Sequence, residues 1–512
     1  MPHTNQALIG LPSASPPSGQ PSLPIELRDA LDGWRLAGGP LSQRLAAALA
    51  SAIGRQDILP GTGLPPERLL AAQLGVARTT VSAAYRVLHQ RGLVTRRQGR
   101  GTHVTGADGA RAGARSAELV TSLQRNVLFR RLGESPADAV DLLASSAPPG
   151  PAVRRAVTAA AAAVDPGTLL DSHGYQPLGY PPLRRAIAAR LTARGLPTEE
   201  EEILVTGGGQ QAISLLASCY LTPGAAVVLE DPTFPGAIDA FRTAGGRIVT
   251  VPAGGGPDGC AESLAMAISQ NPVRAIYLMP TFHNPTGQVL PGPARRDVAR
   301  LAHSSAVPVI EDDTLAELAL GGEPPPPLAA HARDAQIASV GSLSKLYWAG
   351  LRIGWIRAPR PVIAQLGRLK AVADLGTSLV SQAMAVHLLA GLDEARQLRC
   401  RELGGRLAHL EELLRRLLPS WTWRRPGGGL SLWARLPGGS SAELAQVASR
   451  HGVLIAPGEV MSPTGGCGEF VRLPFDHAEQ TLDEGITRLA AAWRGYQAAL
   501  VTRDARRVDV IV

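Results

Sequence analysis

The 512-residue sequence has very little lysine: lysine and arginine together number 51, and only Lys345 and Lys370 are lysines. The guanidinium of arginine stays protonated and is a poor nucleophile, so nearly all of these basic side chains are excluded from covalent chemistry with aldehydes. A primary amine, in contrast, condenses with an aldehyde to form a Schiff base. Only these two lysine side chains therefore carry that capacity.

Cysteine and long apolar runs are also scarce. The four cysteines, at positions 219, 260, 400 and 467, show neither a Cys-x-x-Cys pair nor metal-ligand spacing. This favours thiols in a reducing compartment over a disulfide framework or a metal centre. No basic segment followed by an apolar stretch opens the sequence, and no run approaches about 18 apolar residues. We expect a cytoplasmic protein without a signal peptide or a membrane span.

The positive charge of the chain is concentrated in one short region. The formal net charge is +8, and residues 40–104 contain nine arginines against Asp57 and Glu67. A concentrated positive charge favours a polyanionic partner, whereas the remaining sequence balances its arginines with acids. The alternative is a solvated arginine face with no partner.

Residues 39–104 have the pattern of a small helical unit. Apolar residues recur at helical spacing over 41–55, a second helix starts near the Pro65-Pro66 pair and stops at Gly75, and a third runs from Ala77 to Gly92. Two short helices joined by a tight glycine turn predict a helix-turn-helix. Residues 93–104 predict a two-stranded wing with a glycine-rich tip. Such units also serve as protein-binding modules, so the helix-turn-helix alone does not establish DNA binding.

The candidate DNA contacts follow from this arrangement. The start of the third helix presents Arg78, Thr79 and Thr80, where a recognition helix meets the major groove. Residues 64–68, 74–81 and 98–102 resemble the GntR-type winged helix. That resemblance implies double-stranded DNA as a partner. The DNA-binding residues it predicts are Arg68, Arg78, Thr79, Thr80, Ser82, Gly99 and Arg100.

The remaining boundaries follow from composition. Residues 1–38 are rich in Pro, Ser and Gly at first and predict a flexible N-terminal arm, with a segment around Trp34 that could dock. Residues 105–138 predict a linker and residues 498–512 a C-terminal tail. Between them, residues 139–497 alternate strand-like and helical stretches, which is typical of an α/β domain with a mostly parallel central sheet. Its C-terminal part predicts a smaller α/β unit.

Lys345 lies in the segment Gly341–Trp355, directly after Ser344, three residues after Ser342 and seven residues before Arg352. Hydroxyls and arginine are good phosphate ligands. An aldehyde-capturing amine flanked by phosphate ligands is what a site for pyridoxal 5'-phosphate (PLP) requires. A surface lysine in a polar turn is the plainer interpretation of this segment alone.

Other motifs of residues 139–497 add groups suited to that cofactor. The glycine turn 206–209 opens a helix, whose free N–H groups can bind phosphate. Phe234 can stack on a pyridine ring, Asn284 can hydrogen-bond the phenolic oxygen, and Asp312 can keep the ring nitrogen protonated. Arg472, within an apolar strand, can bind a substrate carboxylate. Taken singly, each has a structural alternative: an ordinary turn, a core phenylalanine, a helix cap or an internal salt bridge.

The order of these motifs resembles that of the fold-type I aminotransferases, and with the winged helix in front the whole chain resembles the MocR family of transcriptional regulators. The resemblance implies that Lys345 forms the internal aldimine, that Arg472 binds an effector carboxylate, and that Tyr175 reaches the phosphate of a second subunit in a homodimer. The implied cofactor-binding residues are Tyr175, Gly209, Gln210, Phe234, Asn284, Asp312, Ser342, Ser344, Lys345 and Arg352.

One position departs from the pattern of the family. Thr314 stands two residues after Asp312, where many relatives have a tyrosine, which puts efficient transamination in more doubt than cofactor binding. Asp313 remains a rival of Asp312. We therefore expect a PLP-dependent regulator that senses an amino compound or PLP itself. The alternatives are a working aminotransferase with a vestigial DNA module, and a regulator whose body has lost the cofactor.

Overall fold

The structure, a computed structural model, describes Trp34, residues 40–54, Ile58, residues 63–90, 93–97, 101–104 and 138–143, Ser145 and residues 148–508. The chain divides into two compact units, Met1–Leu123 and Gln124–Val512. The predicted arm, apart from Trp34, and nearly all of the predicted linker lie outside the described residues.

The first unit is a winged helix-turn-helix. Its helices and strands are α1 (Leu41–Gly54), β1 (Gly63–Leu64), α2 (Glu67–Leu74), α3 (Arg78–Gln90), β2 (Val94–Arg97) and β3 (Gly101–Val104). Gly75 ends α2 in the left-handed conformation at φ 61°, which glycine adopts without steric cost and which permits the tight turn into α3. The core brings Leu49, Leu70 and Val81 together with Trp34, so this residue of the predicted arm belongs to the unit.

The wing differs from the prediction because it has a third strand. β1 pairs antiparallel with β3, and β3 pairs antiparallel with β2, which gives the order β1-β3-β2. The sequence prediction of two strands missed β1, which has only two residues. A segment that short has no alternation of apolar and polar residues from which it could be recognised.

The second unit is an α/β domain built on two sheets. Its strands are β4 (Val140–Leu142), β5 (Ile203–Thr206), β6 (Ala226–Asp231), β7 (Arg247–Pro252), β8 (Val273–Leu278), β9 (Val309–Asp312), β10 (Ile337–Ser342), β11 (Gly354–Arg357), β12 (Thr422–Trp423), β13 (Ser431–Arg435), β14 (Val453–Pro457) and β15 (Phe470–Pro474). Its helices are α4 (Pro151–Ala162), α5 (Pro166–Leu170), α6 (Pro181–Ala193), α7 (Gly209–Tyr220), α8 (Pro235–Thr243), α9 (Cys260–Gln270), α10 (Gly292–Ser305), α11 (Arg360–Asp374), α12 (Leu379–Ala390), α13 (Leu392–Leu417), α14 (Ser441–Arg450) and α15 (Glu479–Val508).

The central sheet has seven strands in the order β5-β11-β10-β9-β8-β6-β7. All neighbours are parallel except β11, which runs antiparallel to both β10 and β5. Strands β5, β9 and β11 are buried along their whole length, as expected for a sheet covered on both faces. The predicted mostly parallel central sheet is confirmed. Its carboxyl edge is where α/β folds place their ligands.

The smaller sheet has the order β12-β13-β15-β14-β4. Its only parallel pair is β14 with β4, so the start of the domain joins its C-terminal part. The last helix, α15, continues past residue 497 to Val508 without a break, across the predicted start of the tail. No helix in the described part of the chain is both long enough and apolar enough to cross a membrane.

Candidate cofactor site and nucleic-acid interface

The loop between β10 and β11 fixes the position of Lys345. Ser342, the last residue of β10, donates from its hydroxyl to the carbonyl of Ile353 (3.1 Å) and accepts from the backbone N–H of Ser344 (3.1 Å). These bonds join the two ends of the loop. The amine of Lys345 donates to the carbonyl oxygen of Ser145 at 2.9 Å. The amine is therefore directed into the domain rather than into solvent, which argues against a surface lysine.

Charges around Lys345 set its protonation. Removal from water lowers the pKa of the amine below the usual 10.5, and the guanidinium groups of Arg472 and Arg352 lower it further. Asp476 and Asp312 act in the opposite direction. The direction that results is downward, which favours the neutral amine that a nucleophile requires.

Asp312, at the end of β9, is buried and its two carboxylate oxygens are hydrogen-bonded. The hydroxyl of Tyr277 donates to Oδ2 at 2.6 Å, and the hydroxyl of Thr314 donates to Oδ1 at 2.6 Å. Burial raises the pKa of this carboxyl, and the two hydroxyls oppose that shift because they stabilise the charged form. Thr314, in the position where relatives have a tyrosine, thus bonds to the carboxylate itself.

Asp313 has a different environment from Asp312. Its Oδ2 forms a salt bridge of 2.5 Å with Arg194, and both side chains are nearly buried. Asp313 follows the last residue of β9 and pairs with Arg194, whereas Asp312 bonds to Tyr277, so the two carboxylates have separate partners. The charge of Asp312 acts on the pKa of Lys345. This geometry favours Asp312 over Asp313 as the partner of a ring nitrogen.

The glycine turn before α7 forms a cradle with Arg352. Gly208 has φ 104°, and a Cβ atom at that position would lie 3.0 to 3.3 Å from the guanidinium of Arg352. A Cβ atom at Gly354 would lie 2.7 Å from the backbone of Gly208, so β11 and the turn are in direct contact. Arg352 itself has φ 52°, a left-handed conformation that non-glycine residues adopt mainly where the surroundings impose it. The turn, the helix N-terminus and a guanidinium thus converge at one place.

Gln210 and Phe234 lie together at the edge of this cradle. The amide of Gln210 donates to the carbonyl of Gly236 at 2.7 Å. A Cβ atom at Gly236 would overlap both the ring of Phe234 and the amide oxygen of Gln210. The half-buried ring of Phe234 therefore lies near the first turn of α7, where the sequence analysis expected an aromatic group.

Three polar atoms of the predicted site are buried without a hydrogen-bond partner among the described residues. They are the hydroxyl oxygen of Ser344, the amide oxygen of Asn284 and Nε of Arg472. Buried polar groups are normally paired, so orphaned atoms of this kind indicate a missing ligand or water. They lie on the lysine loop, on the loop after β8 and on β15, and each belongs to a side chain that can hydrogen-bond a phosphorylated, carboxylate-bearing ligand. The residues present fit PLP.

Arg472 lies on β15 and is buried. It donates through Nη2 to the carbonyl of Leu143. Burial lowers the pKa of its guanidinium to about 10, although Asp476 and Asp141 oppose the shift. A buried guanidinium with an unused N–H gains from an anionic partner, because that partner compensates the loss of hydration.

Tyr175 lies on the surface of the described chain, with 62% of its area exposed and its ring 6.0 Å from the ring of His173. Several other large apolar side chains are exposed in the same unit. They are Leu170, Met266, Trp348, Val372, Leu375 and Val380. Exposed apolar groups of this size mark interaction surfaces when they are contiguous.

The predicted DNA contacts lie at the N-terminal ends of two helices. Arg68, Arg78 and Thr79 are exposed, and Thr80 and Ser82 are half-buried. Nε of Arg78 lies 3.5 Å from the carboxylate of Glu67, so the starts of α2 and α3 are neighbours. Gly99 and Arg100 lie outside the described residues.

Sequence reasoning missed two groups near the predicted site. Tyr277 is a buried residue of β8. The pattern of apolar and polar residues along that strand does not indicate that its hydroxyl bonds to Asp312. Lys370 is fully buried and bonds to Asp374 and Gln211. The scarcity of lysine in this sequence was the signal that could have drawn attention to Lys370.

Two family models match the sequence. The model described as aminotransferase class I and II matches residues 140–489, and the model described as bacterial regulatory proteins, gntR family, matches residues 41–104. Among curated proteins, 2-aminoadipate transaminase of Thermus thermophilus is 35% identical over 63% of this chain and 82% of its own length. The uncharacterized HTH-type transcriptional regulator YdfD of Bacillus subtilis is 28% identical over 88% of this chain and 95% of its own length.

Solved structures show the same fold for the second unit. LysN, an alpha-aminoadipate aminotransferase from Thermus thermophilus complexed with N-(5'-phosphopyridoxyl)-L-leucine, is 30% identical with a TM-score of 0.66, over 75% of this chain and 98% of that chain. A multiple substrate aminotransferase from Thermococcus profundus is 26% identical with a TM-score of 0.62, over 75% of this chain and 96% of that chain. The regulator YdfD thus aligns with a larger share of this chain than either aminotransferase does.

Proposed function

Since the chain belongs to the aminotransferase class I and II family and carries a gntR-type domain at residues 41–104, we propose that it is a DNA-binding transcriptional regulator that binds PLP. The observation that carries this proposal is the match to HTH-type regulators over both units. YdfD covers 88% of this chain, and the uncharacterized HTH-type transcriptional regulator YdcR of Escherichia coli covers 84%. This combination is the one expected from the MocR resemblance.

The cofactor would be held by the groups that the geometry brings together. Lys345 would supply the amine for a covalent bond, and Asp312 would pair with the ring nitrogen. When bound, PLP supplies an electron-withdrawing ring. Asn284, whose amide oxygen has no hydrogen-bond partner in the described part of the chain, would turn its amide toward the phenolic oxygen, since the two ends of an amide are interchangeable by rotation.

The phosphate would lie at the cradle before α7. The guanidinium of Arg352 borders the glycine turn there, and the N–H groups near Gly209 and the hydroxyl of Ser344 would join it as phosphate donors. A helix N-terminus attracts an anion through its free N–H groups and its dipole. Ser342 would act mainly by holding the loop, because its hydroxyl already bonds to Ile353 and Ser344. Gln210 and Phe234 would border the site.

The effector would be an amino compound with a carboxylate, or PLP itself. The amino group would react at the cofactor, and Arg472 would bind the carboxylate through its unused N–H. To change DNA binding, the effector must bind two arrangements of the protein with different affinity. A carboxylate bound at Arg472 would supply such a difference, because it would pair with the Nε–H of Arg472, which has no hydrogen-bond partner among the described residues.

The protein would act as a homodimer. Tyr175 and the other exposed apolar side chains of the second unit are groups that a second copy would cover. Tyr175 would then reach the phosphate of the partner. Two winged helices in one dimer would bind a repeated or palindromic operator, because operator symmetry follows protein symmetry.

A working aminotransferase is the second candidate. The observation that favours it is the 35% identity to 2-aminoadipate transaminase together with the presence of Lys345 and Asp312. Against it stands Thr314, whose hydroxyl is used by Asp312 and is therefore not a donor to the ring oxygen. Multiple turnovers with an amino acid and a keto acid would favour the enzyme. A single half-reaction without turnover would favour the regulator.

The decisive experiment tests both units in the full-length protein. Absorbance and borohydride trapping, followed by peptide mass spectrometry, locate the cofactor; we expect a pyridoxyl adduct on Lys345. Footprinting on the DNA upstream of its own gene, with and without PLP and amino acids, tests the first unit. Binding no tighter than to random duplex under every ligand condition would contradict the regulator. Absence of the adduct would contradict only the proposal that Lys345 binds PLP.

A further inference from the structure

Lys370, the other lysine of this chain, is buried beneath the glycine turn that precedes α7. It lies on α11, and its amine donates to the two carboxylate oxygens of Asp374 at 2.9 and 2.7 Å and to Oε1 of Gln211 at 3.1 Å. An ammonium group has three donors and no acceptor, so this set of acceptors accounts for all its capacity. We therefore expect its role to lie in the other hydrogen bonds that Asp374 and Gln211 make.

Gln211 carries the connection to the turn. Its Oε1 also accepts from the backbone N–H of Gly207 at 2.6 Å, and its Nε2 donates to Oδ2 of Asp374 at 2.7 Å. The amide orientation is thereby fixed, because its oxygen faces two donors and its nitrogen faces a carboxylate. Gly207 begins the turn whose next residues border the guanidinium of Arg352. The lysine thus acts on the backbone of the phosphate cradle through a single side chain.

Asp374 carries the connection in the other direction. Its Oδ1 accepts from the backbone N–H of Gly376 at 2.9 Å. Gly376 has φ 129°, and a Cβ atom there would lie 2.7 Å from the carbonyl oxygen of Gln176. The residue before Gln176 is Tyr175, which the proposed dimer directs to the phosphate of the partner. The Lys370–Asp374 ion pair is therefore linked to the Gly207 turn, and it also holds the backbone of Gly376, which packs closely against the residue after Tyr175.

We propose that Lys370 is a positioning residue for the cofactor phosphate. It orients the Gly207 backbone through Gln211 and neutralises Asp374, whose charge would otherwise repel a phosphate bound at the adjacent turn. Donors fixed in advance bind an anion without a cost of reorganisation. This inference rests on the proposed cofactor site and adds a residue that does not touch the cofactor.

The test compares two aldehydes that differ only in the phosphate. PLP and pyridoxal are titrated into the full-length protein and followed by absorbance, and the ratio of the dissociation constant of pyridoxal to that of PLP is measured. Lys370→Met keeps a similar volume but removes the charge. We expect the dissociation constant of PLP to rise by about tenfold, the scale of one lost bond to a charged group, and that of pyridoxal to stay unchanged, so the ratio falls by about tenfold. A structural role alone would weaken both ligands equally and would overturn the proposal.

Two further variants make the result decisive. Arg357→Met removes another buried cation, paired with Glu202 at 2.8 Å at the opposite end of β11, and is expected to leave the ratio unchanged. Gln211→Leu cuts the link at a half-buried position that tolerates change better than Lys370, and is expected to lower the ratio even if Lys370→Met does not fold. An unchanged ratio in Gln211→Leu refutes the inference. A wild-type protein that does not prefer PLP over pyridoxal instead refutes the proposed phosphate site.

Discussion

The hydroxyl of Tyr277 on β8 donates a 2.6 Å hydrogen bond to the buried carboxylate of Asp312 on the neighbouring strand β9. The bond places a neutral donor beside a group whose burial raises its pKa, and it stabilises the charged form. A charged carboxylate is what a pyridinium nitrogen requires as its partner. The strand pairing of the central sheet thus helps to set the charge of the candidate site.

Tyr277→Phe should destabilise the cofactor-free protein by about 2 kcal/mol at neutral pH, because a bond to a charged group is lost. Because the pKa of Asp312 is raised in the folded state, its carboxyl stays protonated to a higher pH there than in the unfolded chain. The free energy of unfolding therefore falls as the pH rises above the pKa of Asp312 in the unfolded chain. The variant raises the pKa of the folded state further. Its loss of stability should therefore shrink on acidification, as measured by urea denaturation at several pH values.

Tyr347→Phe is the matched control, because its hydroxyl donates at 2.6 Å to the carbonyl of Leu388, which does not titrate. The loss of unfolding free energy in Tyr347→Phe should therefore not depend on pH. Identical pH profiles for the two variants would contradict a role of Tyr277 in the charge of Asp312.

The amine of Lys345 should react with pyridoxal at a pH lower than free lysine requires. Its pKa is lowered by burial and by Arg472, so the neutral amine is present at a lower pH than in free lysine. Arg472→Met removes a neighbouring cation and should move the reaction profile toward higher pH. The measurement is the rate of borohydride-trapped adduct against pH. A profile of Arg472→Met displaced toward lower pH would contradict this electrostatic account.

Arg78→Ala should reduce affinity for the operator by at least about tenfold, the usual cost of one lost base or phosphate contact of this kind. Cofactor absorbance should stay unchanged, since Arg78 belongs to the first unit. Arg300→Ala, which removes an exposed arginine of α10, serves as the control and should leave DNA binding intact. A mobility-shift titration at fixed salt measures both. Equal affinities for the two variants would remove Arg78 from the interface.

Trp34→Ala should unfold the winged helix at a lower temperature, although Trp34 lies outside the predicted boundaries of that unit. The side chain is 9% exposed and packs in the core with Leu49 and Val81. Truncation of a buried tryptophan costs about 3 to 5 kcal/mol. Calorimetry should show the loss, and Trp348→Ala, at a 47% exposed position, should not. An unchanged transition in Trp34→Ala would exclude it from the core.

Local pattern was enough to predict most of the helices and strands. The period of apolar residues along 41–55 and the strand-like runs at 226–230 and 308–311 reflect which faces are buried, and the order of apolar and polar residues along the chain records that burial. The strand β1 and the core position of Trp34 could not be predicted this way. Both depend on pairing or packing with residues tens of positions away.

The sequence by itself determined the chemistry of the candidate site, because it supplies, in a fixed order, an asparagine, an aspartate, two serines followed by a lysine, and a late arginine. Folding decided which members of ambiguous sets can act. Asp313 is tied to Arg194 while Asp312 bonds to Tyr277, and Lys370 is tied to Asp374 while Lys345 is directed toward Ser145. Hydrogen bonds and ion pairs act over a few ångströms in space, and the partners in three of these four pairs are 35 to 200 positions apart in the chain.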